Sequence, residues 1–277
     1  MTISIALAVP HTDWIPERVE SCARLTSALG LNAYGAPVTD IPVTESRLFS
    51  DRESNRVWSQ KLFRWALDTG ASHLLQIQDD AIVAPRFWPI LRAMIEAQPD
   101  RIIGLEATHP LIPVQHRAGR RWYRDQWLIG VGYVFPCAQL DHYVDWCAIN
   151  PERVDKTNED SLISEWSHET GRYIWHPIPT IIDHDIGVPS TYGNDAHHEF
   201  SMYRRPLVTW RDVDTPALED PAYWRVTQEG APLLPGPGSQ LCWYCSVGDA
   251  KLTSAKTGAR LCKQCLAEML GHMLGRL

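Results

Sequence analysis

Apolar residues run almost unbroken through residues 3–9 (Ile-Ser-Ile-Ala-Leu-Ala-Val) and again through 74–77 (Leu-Leu-Gln-Ile). Runs of this length, apolar at nearly every position, predict strands buried on both faces. Between them the period changes. Pro16 suits the first turn of a helix and Gly30 its end, and residues 31–34 predict a second short strand. Trp58, Leu62, Trp65 and Ala66 share one face of a further helix that Gly70 stops. After Pro85, the positions Phe87, Ile90, Leu91, Met94 and Ile95 keep helical spacing closely. Strands follow at 101–105 and 128–135, helices around 140–147 and 160–166, and a strand at 173–175. Strands alternating with helices predict an α/β fold, with helices on both faces of the sheet. Residues 200–230 carry Trp210, Trp224 and several prolines, and predict an irregular tail packed on this domain. No internal repeat is visible.

Residues 231–240 (Ala-Pro-Leu-Leu-Pro-Gly-Pro-Gly-Ser-Gln) form a Pro/Gly linker. They divide a first domain, 1–230, from a small module, 241–277. In that module Cys242 and Cys245 form one Cys-x-x-Cys pair, and Cys262 and Cys265 a second. Two such pairs in so short a segment predict tetrahedral Zn2+ in a zinc-ribbon-like module. A segment this small builds little core, so the metal would supply its folding free energy. Cys22, Cys137 and Cys147 are scattered and fit small core residues in a reducing compartment.

Composition adds few constraints. The chain is 44% hydrophobic and 21% charged, as in ordinary globular proteins. Its first residues lack a basic leader and a cleavage site, and no apolar run reaches bilayer length. The expectation is a cytoplasmic protein with no membrane span. The net charge is −7, but residues 241–277 hold five Lys/Arg against two acids. A basic module beside an acidic domain allows contact with nucleic acid; a structural ribbon is the alternative. Residues 116–127 mix four Arg with three aromatics. That pattern suits stacking and phosphate contact, or a salt-bridged surface loop.

The chemistry concentrates where strands end. Asp79 and Asp80 close the 74–77 strand, at the position where an α/β sheet usually holds its ligand. Paired acids there can hold a divalent cation, and through it a diphosphate. Glu159 and Asp160 open a helix, where a carboxylate can take a proton from an attacking hydroxyl. His184 follows the apolar pair Ile181-Ile182 and precedes a loop with Gly187, Pro189 and Ser190, a setting that can complete a metal site. Residues 130–136 form a strand with small residues, which lets backbone approach a ligand. Pro10, His11 and Thr12 end the first strand and should line a nucleotide pocket by position. Arg56 and Lys61 precede the acidic strand; uracil or phosphate contact and a solvated helix face are both open for them.

In this order the four segments resemble the GT-A glycosyltransferases, nucleotide-sugar enzymes with a Rossmann-like mixed sheet and a DxD-type acidic motif. The resemblance covers most of residues 1–200 and excludes the cysteine module. Gln78-Asp79-Asp80 is similar to the acidic motif, with Gln78 standing for its first acid. The resemblance implies that Asp80 ligates Mn2+ or Mg2+ and that Asp79 and Gln78 lie near the ribose or donor sugar. It further implies that Asp160, paired with Glu159, is the catalytic base, and that His184 reaches the metal and diphosphate. The implied reaction is an inverting transfer from a nucleotide sugar, UDP-sugar favoured, to a hydroxyl acceptor; a modified base in DNA, a glycan and a protein are all open, and the Arg/aromatic segment with the basic module favours DNA slightly. Two rivals remain at this point: a non-catalytic nucleic-acid-binding or scaffold protein, and a metal-dependent phosphoesterase using Asp79, Asp80 and His184.

Overall fold

The computed structural model describes residues 2–31, 41–50, 55–106, 112–128, 130–155, 157–185, 187–189 and 208–226, with main chain alone at 55, 56 and 114. It also describes the main chain of 252–253 and 260–261. Residues 32–34 of the expected strand at 31–34, the linker at 231–240 and all four zinc-candidate cysteines lie outside the described residues.

Strand β1 (Ile5–His11) is the centre of a parallel set. It pairs with β2 (Val43–Ser50) on one side and β3 (His73–Ile77) on the other, both parallel. β7 (Gly132–Pro136) runs antiparallel to β3 and to β5 (Ile102–Gly104). β8 (Ile174–Pro177) pairs parallel with β5, and β6 (Trp122–Asp125) closes the far edge antiparallel to β8. The sheet is thus seven-stranded and mixed, in the order β2-β1-β3-β7-β5-β8-β6.

Alternation along β1 explains the layers. Ile5, Leu7 and Val9 enter one buried cluster with α1 (Pro16–Ala28) and α3 (Phe87–Ala97). Ala6 and Ala8 enter another with α2 (Asn55–Asp68), α5 (Cys137–Ile149) and α7 (Glu159–Glu169). Successive side chains point to opposite faces, so a strand apolar at every position is sandwiched between helices. Full burial of each large apolar side chain contributes about 1.5–3 kcal/mol. Helices therefore cover both faces, as the alternation of patterns predicts. Gly30 and Gly70 follow α1 and α2 with φ of +69° and +70°, a backbone conformation that suits glycine.

Two parts of the architecture differ from the sequence reading, and one agrees with it. β2 escapes the pattern of apolar runs, because as an edge strand it shows mostly exposed, polar residues. Residues 122–125 form the other edge strand rather than a basic loop. Trp122 and Tyr123 are buried, while Arg121 and Arg124 lie over the rings of Tyr223 and Tyr173. The tail at 208–226 does pack on the domain: the Trp122 indole N–H donates to the Trp224 carbonyl at 2.6 Å. Its elements are a 3-10 turn (Trp210–Asp212) and a short helix (Thr215–Leu218).

A separate antiparallel ribbon joins β4 (Ala81–Val83) to β9 (Ile182–His184), pairing Ala81 with His184. Two further short helices, α4 (Ile112–Arg117) and α6 (Pro151–Val154), fill connections. In the C-terminal segment, Leu252–Thr253 pairs antiparallel with Arg260–Leu261, immediately before Cys262. No helix among the described residues is long and apolar enough to cross a membrane.

Candidate active site at the strand exits

β1 and β3 run side by side in the same direction, so His11, Thr12, Asp79 and Asp80 emerge together. The β4–β9 ribbon then folds a distant segment back onto them. Asp80 directly precedes β4, His184 ends β9, and the Asp185 amide donates to the Asp80 carbonyl at 2.8 Å. His184 Nε2 lies 2.8 Å from Asp80 Oδ2 across 104 residues of sequence.

Asp79 is fully buried. Its Oδ2 accepts from the Thr12 amide at 2.8 Å and lies 3.1 Å from His11 Nδ1. Asp80 is 2% exposed. Arg18, in the first turn of α1, bridges the two acids: Nη2 donates to Asp79 Oδ1 and Nη1 to Asp80 Oδ2, the latter at 2.6 Å. Burial pushes the Asp80 carboxyl up, but the hydrogen bond and charge of His184, joined by the Arg18 charge, outweigh it and leave it below its ordinary value. Burial pulls His184 down, and the Asp80 hydrogen bond and charge lift it above its ordinary value. Asp80 Oδ1 is buried with no hydrogen-bond partner. Such an atom is costly unless something binds it.

Asp160 approaches Gln78 from the start of α7. α7 begins at Glu159, so Asp160 sits in its first turn. The Ser161 amide donates to Asp160 Oδ1 at 2.7 Å. Gly130 fits between this carboxylate and the acidic motif: a Cβ there would lie 3.2 Å from Asp160 Oδ2 and 3.3 Å from Gln78 Nε2. Burial raises Asp160 above its ordinary carboxyl value, the direction a proton acceptor needs. Glu159 turns inward instead. It is 6% exposed, takes a hydrogen bond from Gln76 Nε2 at 3.2 Å and touches the Tyr133 hydroxyl. Burial pushes Glu159 up to about 8.

Of the other sequence candidates, Pro10 and Thr12 are buried and His11 is partly exposed at the β1 exit. Gln78 is half-buried and follows β3. Arg56 and Lys61 fall on α2; Lys61 is exposed, and the Arg56 side chain lies outside the described residues. Among the described residues, no group of three or more His, Cys, Asp or Glu is gathered to hold a metal ion. The residues present nevertheless fit one cation: Asp80 offers a buried, unpartnered oxygen, and His184 stands against the same carboxylate. A hard divalent ion completed by phosphate oxygens and water needs only one or two protein ligands.

Sequence reasoning missed Arg18, which looks like an ordinary helix residue and is recognisable only from the folded contacts. It also missed Glu106, which ends the β5 segment just as Asp79 ends β3. The rule that singled out the aspartates applies to it equally. Glu106 is 2% exposed, and burial pushes it up to about 8, with the nearby His184 charge opposing. His176 ties this strand end to the next loop, with Nδ1 3.2 Å from the Glu106 carbonyl and Nε2 3.1 Å from Asp125 Oδ1 and the Trp127 carbonyl. The Leu128 amide donates to Ser164 Oγ at 2.9 Å, and that hydroxyl donates to the Asp160 carbonyl at 2.7 Å. The main chain at 127–128 is therefore fixed beside α7, yet the Trp127 side chain is 54% exposed.

The fold is α/β, a seven-stranded mixed sheet with His11, Asp79, Asp80 and His184 together at the exits of β1 and β3. No protein-family model matches the chain, and no curated protein matches it in sequence. Among solved structures, mannose-1-phosphate geranyltransferase from Thermus thermophilus aligns at a TM-score of 0.39 and 12% identity, over 68% of this chain and 77% of that one. Mouse xyloside xylosyltransferase 1, in its apo form, aligns at 0.30 and 9% identity, over 80% of this chain and 94% of that one.

Proposed function

We propose that this chain is a metal-dependent, inverting glycosyltransferase of the GT-A kind, using a nucleotide sugar, UDP-sugar favoured. The observation that carries the reading is the meeting of Asp80 and His184 at the exits of β1 and β3, with Asp160 facing the same motif across Gly130. Asp80 and His184 would hold Mn2+ or Mg2+, which supplies positive charge to the departing diphosphate. His11, Thr12 and Gln78 line the donor side. Asp160 takes the proton of the acceptor hydroxyl as that oxygen attacks the anomeric carbon; the glycosidic bond forms as the bond to diphosphate breaks, with inversion. Glu159, its neighbour in sequence, is held inside the fold by Gln76 and Tyr133.

Trp127, exposed where the main chain is held beside α7, would give the acceptor side a flat apolar ring suited to a sugar or a base. A glycan and a modified base in DNA both present such a ring. Retention of the full chain on duplex DNA that weakens steeply with salt supports DNA; no retention at low salt removes DNA and leaves a glycan or a protein. The Arg/aromatic segment itself gives nucleic acid less support than its composition suggests, since its buried rings and stacked guanidiniums are used within the fold. The four cysteines, by spacing, are proposed to hold one structural Zn2+. A phosphoesterase centre has less support, because it calls for several clustered His and Asp ligands, and the described residues gather no group of three or more placed to hold a metal.

The test is slow transfer to water. With Mn2+, the chain should release nucleoside diphosphate from at least one nucleotide sugar, and Asp160→Asn should lower that rate at least about 100-fold. Release that is unaffected by Asp160→Asn contradicts the assigned base.

A further inference from the structure

The acid pair already has a cation of its own. Arg18 places one guanidinium nitrogen on each aspartate, and its side chain is 7% exposed. Two adjacent buried carboxylates repel one another and are costly to desolvate, so a bridging guanidinium stabilises them strongly. Asp80 Oδ2 is thereby shared between Arg18 and His184, and only Oδ1 is left for another ligand. A divalent ion arriving at Oδ1 meets a fixed positive charge on the same carboxylate. Like charges this close, away from bulk water, disfavour binding.

Resting on the diphosphate reading of this site, we propose that Arg18 is an internal counter-ion that must release Asp80 before the divalent cation binds. The planar guanidinium fork matches phosphate oxygens as well as it matches carboxylates. An incoming diphosphate therefore offers Arg18 a replacement partner and frees Asp80 for the ion. Cation and nucleoside diphosphate then bind as a coupled pair, each weakly alone. The device also keeps the two acids neutralised in the donor-free protein.

Mn2+ titration of the full chain, followed by the electron-spin-resonance signal of free Mn2+, tests this directly. Mn2+ seeks hard oxygen ligands, so the C-terminal thiolates compete little for it. The wild type should bind Mn2+ about 10-fold more tightly with UDP present than without, a coupling of ordinary size. Arg18→Gln should bind Mn2+ about 10-fold more tightly than wild type in the absence of nucleotide, and its melting temperature should rise more with Mn2+. If Arg18→Gln does not fold, Arg18→Met replaces it; the charge is again lost while the length of the stem is kept, and nucleotide-free Mn2+ affinity should again rise. Mn2+ affinity without nucleotide that is unchanged or lowered in the folding variant overturns the proposal. The metal-only arm decides this even if UDP does not bind, whereas the transferase reading fails separately, by absence of donor turnover.

Discussion

Glu159, Tyr133 and Gln76 form a closed polar ring on the sheet face covered by α2, α5 and α7. The Tyr133 hydroxyl lies 2.7 Å from Gln76 Oε1 and also against Glu159 Oε1, while Gln76 Nε2 donates to Glu159 Oε2. One hydroxyl proton cannot serve two acceptors. All three groups are satisfied when Glu159 is protonated, donating to Tyr133, which donates to Gln76. This agrees with a Glu159 carboxyl raised by burial from 4.5 to about 8. The sign for folding follows. Between about pH 4.5 and 8 the folded chain keeps a proton that the unfolded chain has released, so stability falls as pH rises through that window. Glu106 contributes in the same direction over the same window. Asp80, held below its ordinary value, acts oppositely and loses its contribution only in acid. Urea unfolding at pH 5 to 8 should therefore show declining stability, and Glu159→Gln, which preserves the ring, should flatten the decline by up to about 1.4 kcal/mol per pH unit. Parallel profiles for the two proteins would mean that Glu159 is ionised when folded.

At the scale of elements, the site depends on contacts that the sequence carries without announcing. The β1 and β3 strands were legible because burial on both faces leaves an apolar run, and their exits pointed to His11, Thr12, Asp79 and Asp80. The helices were legible where one face is apolar, as in α3. The β4–β9 ribbon was not, since three-residue strands give no readable period. Yet that ribbon delivers His184 to Asp80. Arg18 was illegible for a related reason: a buried charge is recognised by its partner, and its partners lie more than 60 residues away. Gly130 was noted only as a small residue in a strand, whereas the structure makes it the spacer between Asp160 and Gln78. Gly130→Ala should push the Asp160 carboxylate by a few tenths of an ångström. Turnover should drop roughly tenfold, with donor KM little changed, because sub-ångström misplacement of a base costs rate more than binding. Unchanged turnover in that variant would place the base elsewhere.

For the whole molecule, a mixed sheet with two buried helix layers positions one polar site at the exits of β1 and β3, and the charge there is balanced from within. The fold class was readable from alternating periods, while the order of strands was not, because β2 and β6 are edge strands whose polar or aromatic residues disguise them. Residues 1–240 are acidic and residues 241–277 basic, and the proposed donor chemistry falls in the former. The central claim is that a nucleotide sugar and a divalent cation meet at Asp80. A panel of nucleotide sugars, each tested with and without Mn2+ for its effect on the melting temperature of wild type and Asp80→Asn, addresses it most directly. One donor should stabilise the wild type only with Mn2+, by about 2.7 kcal/mol at a hundredfold excess over its Kd, and should leave Asp80→Asn unmoved. Equal stabilisation of both proteins, or none with any donor, would contradict the account.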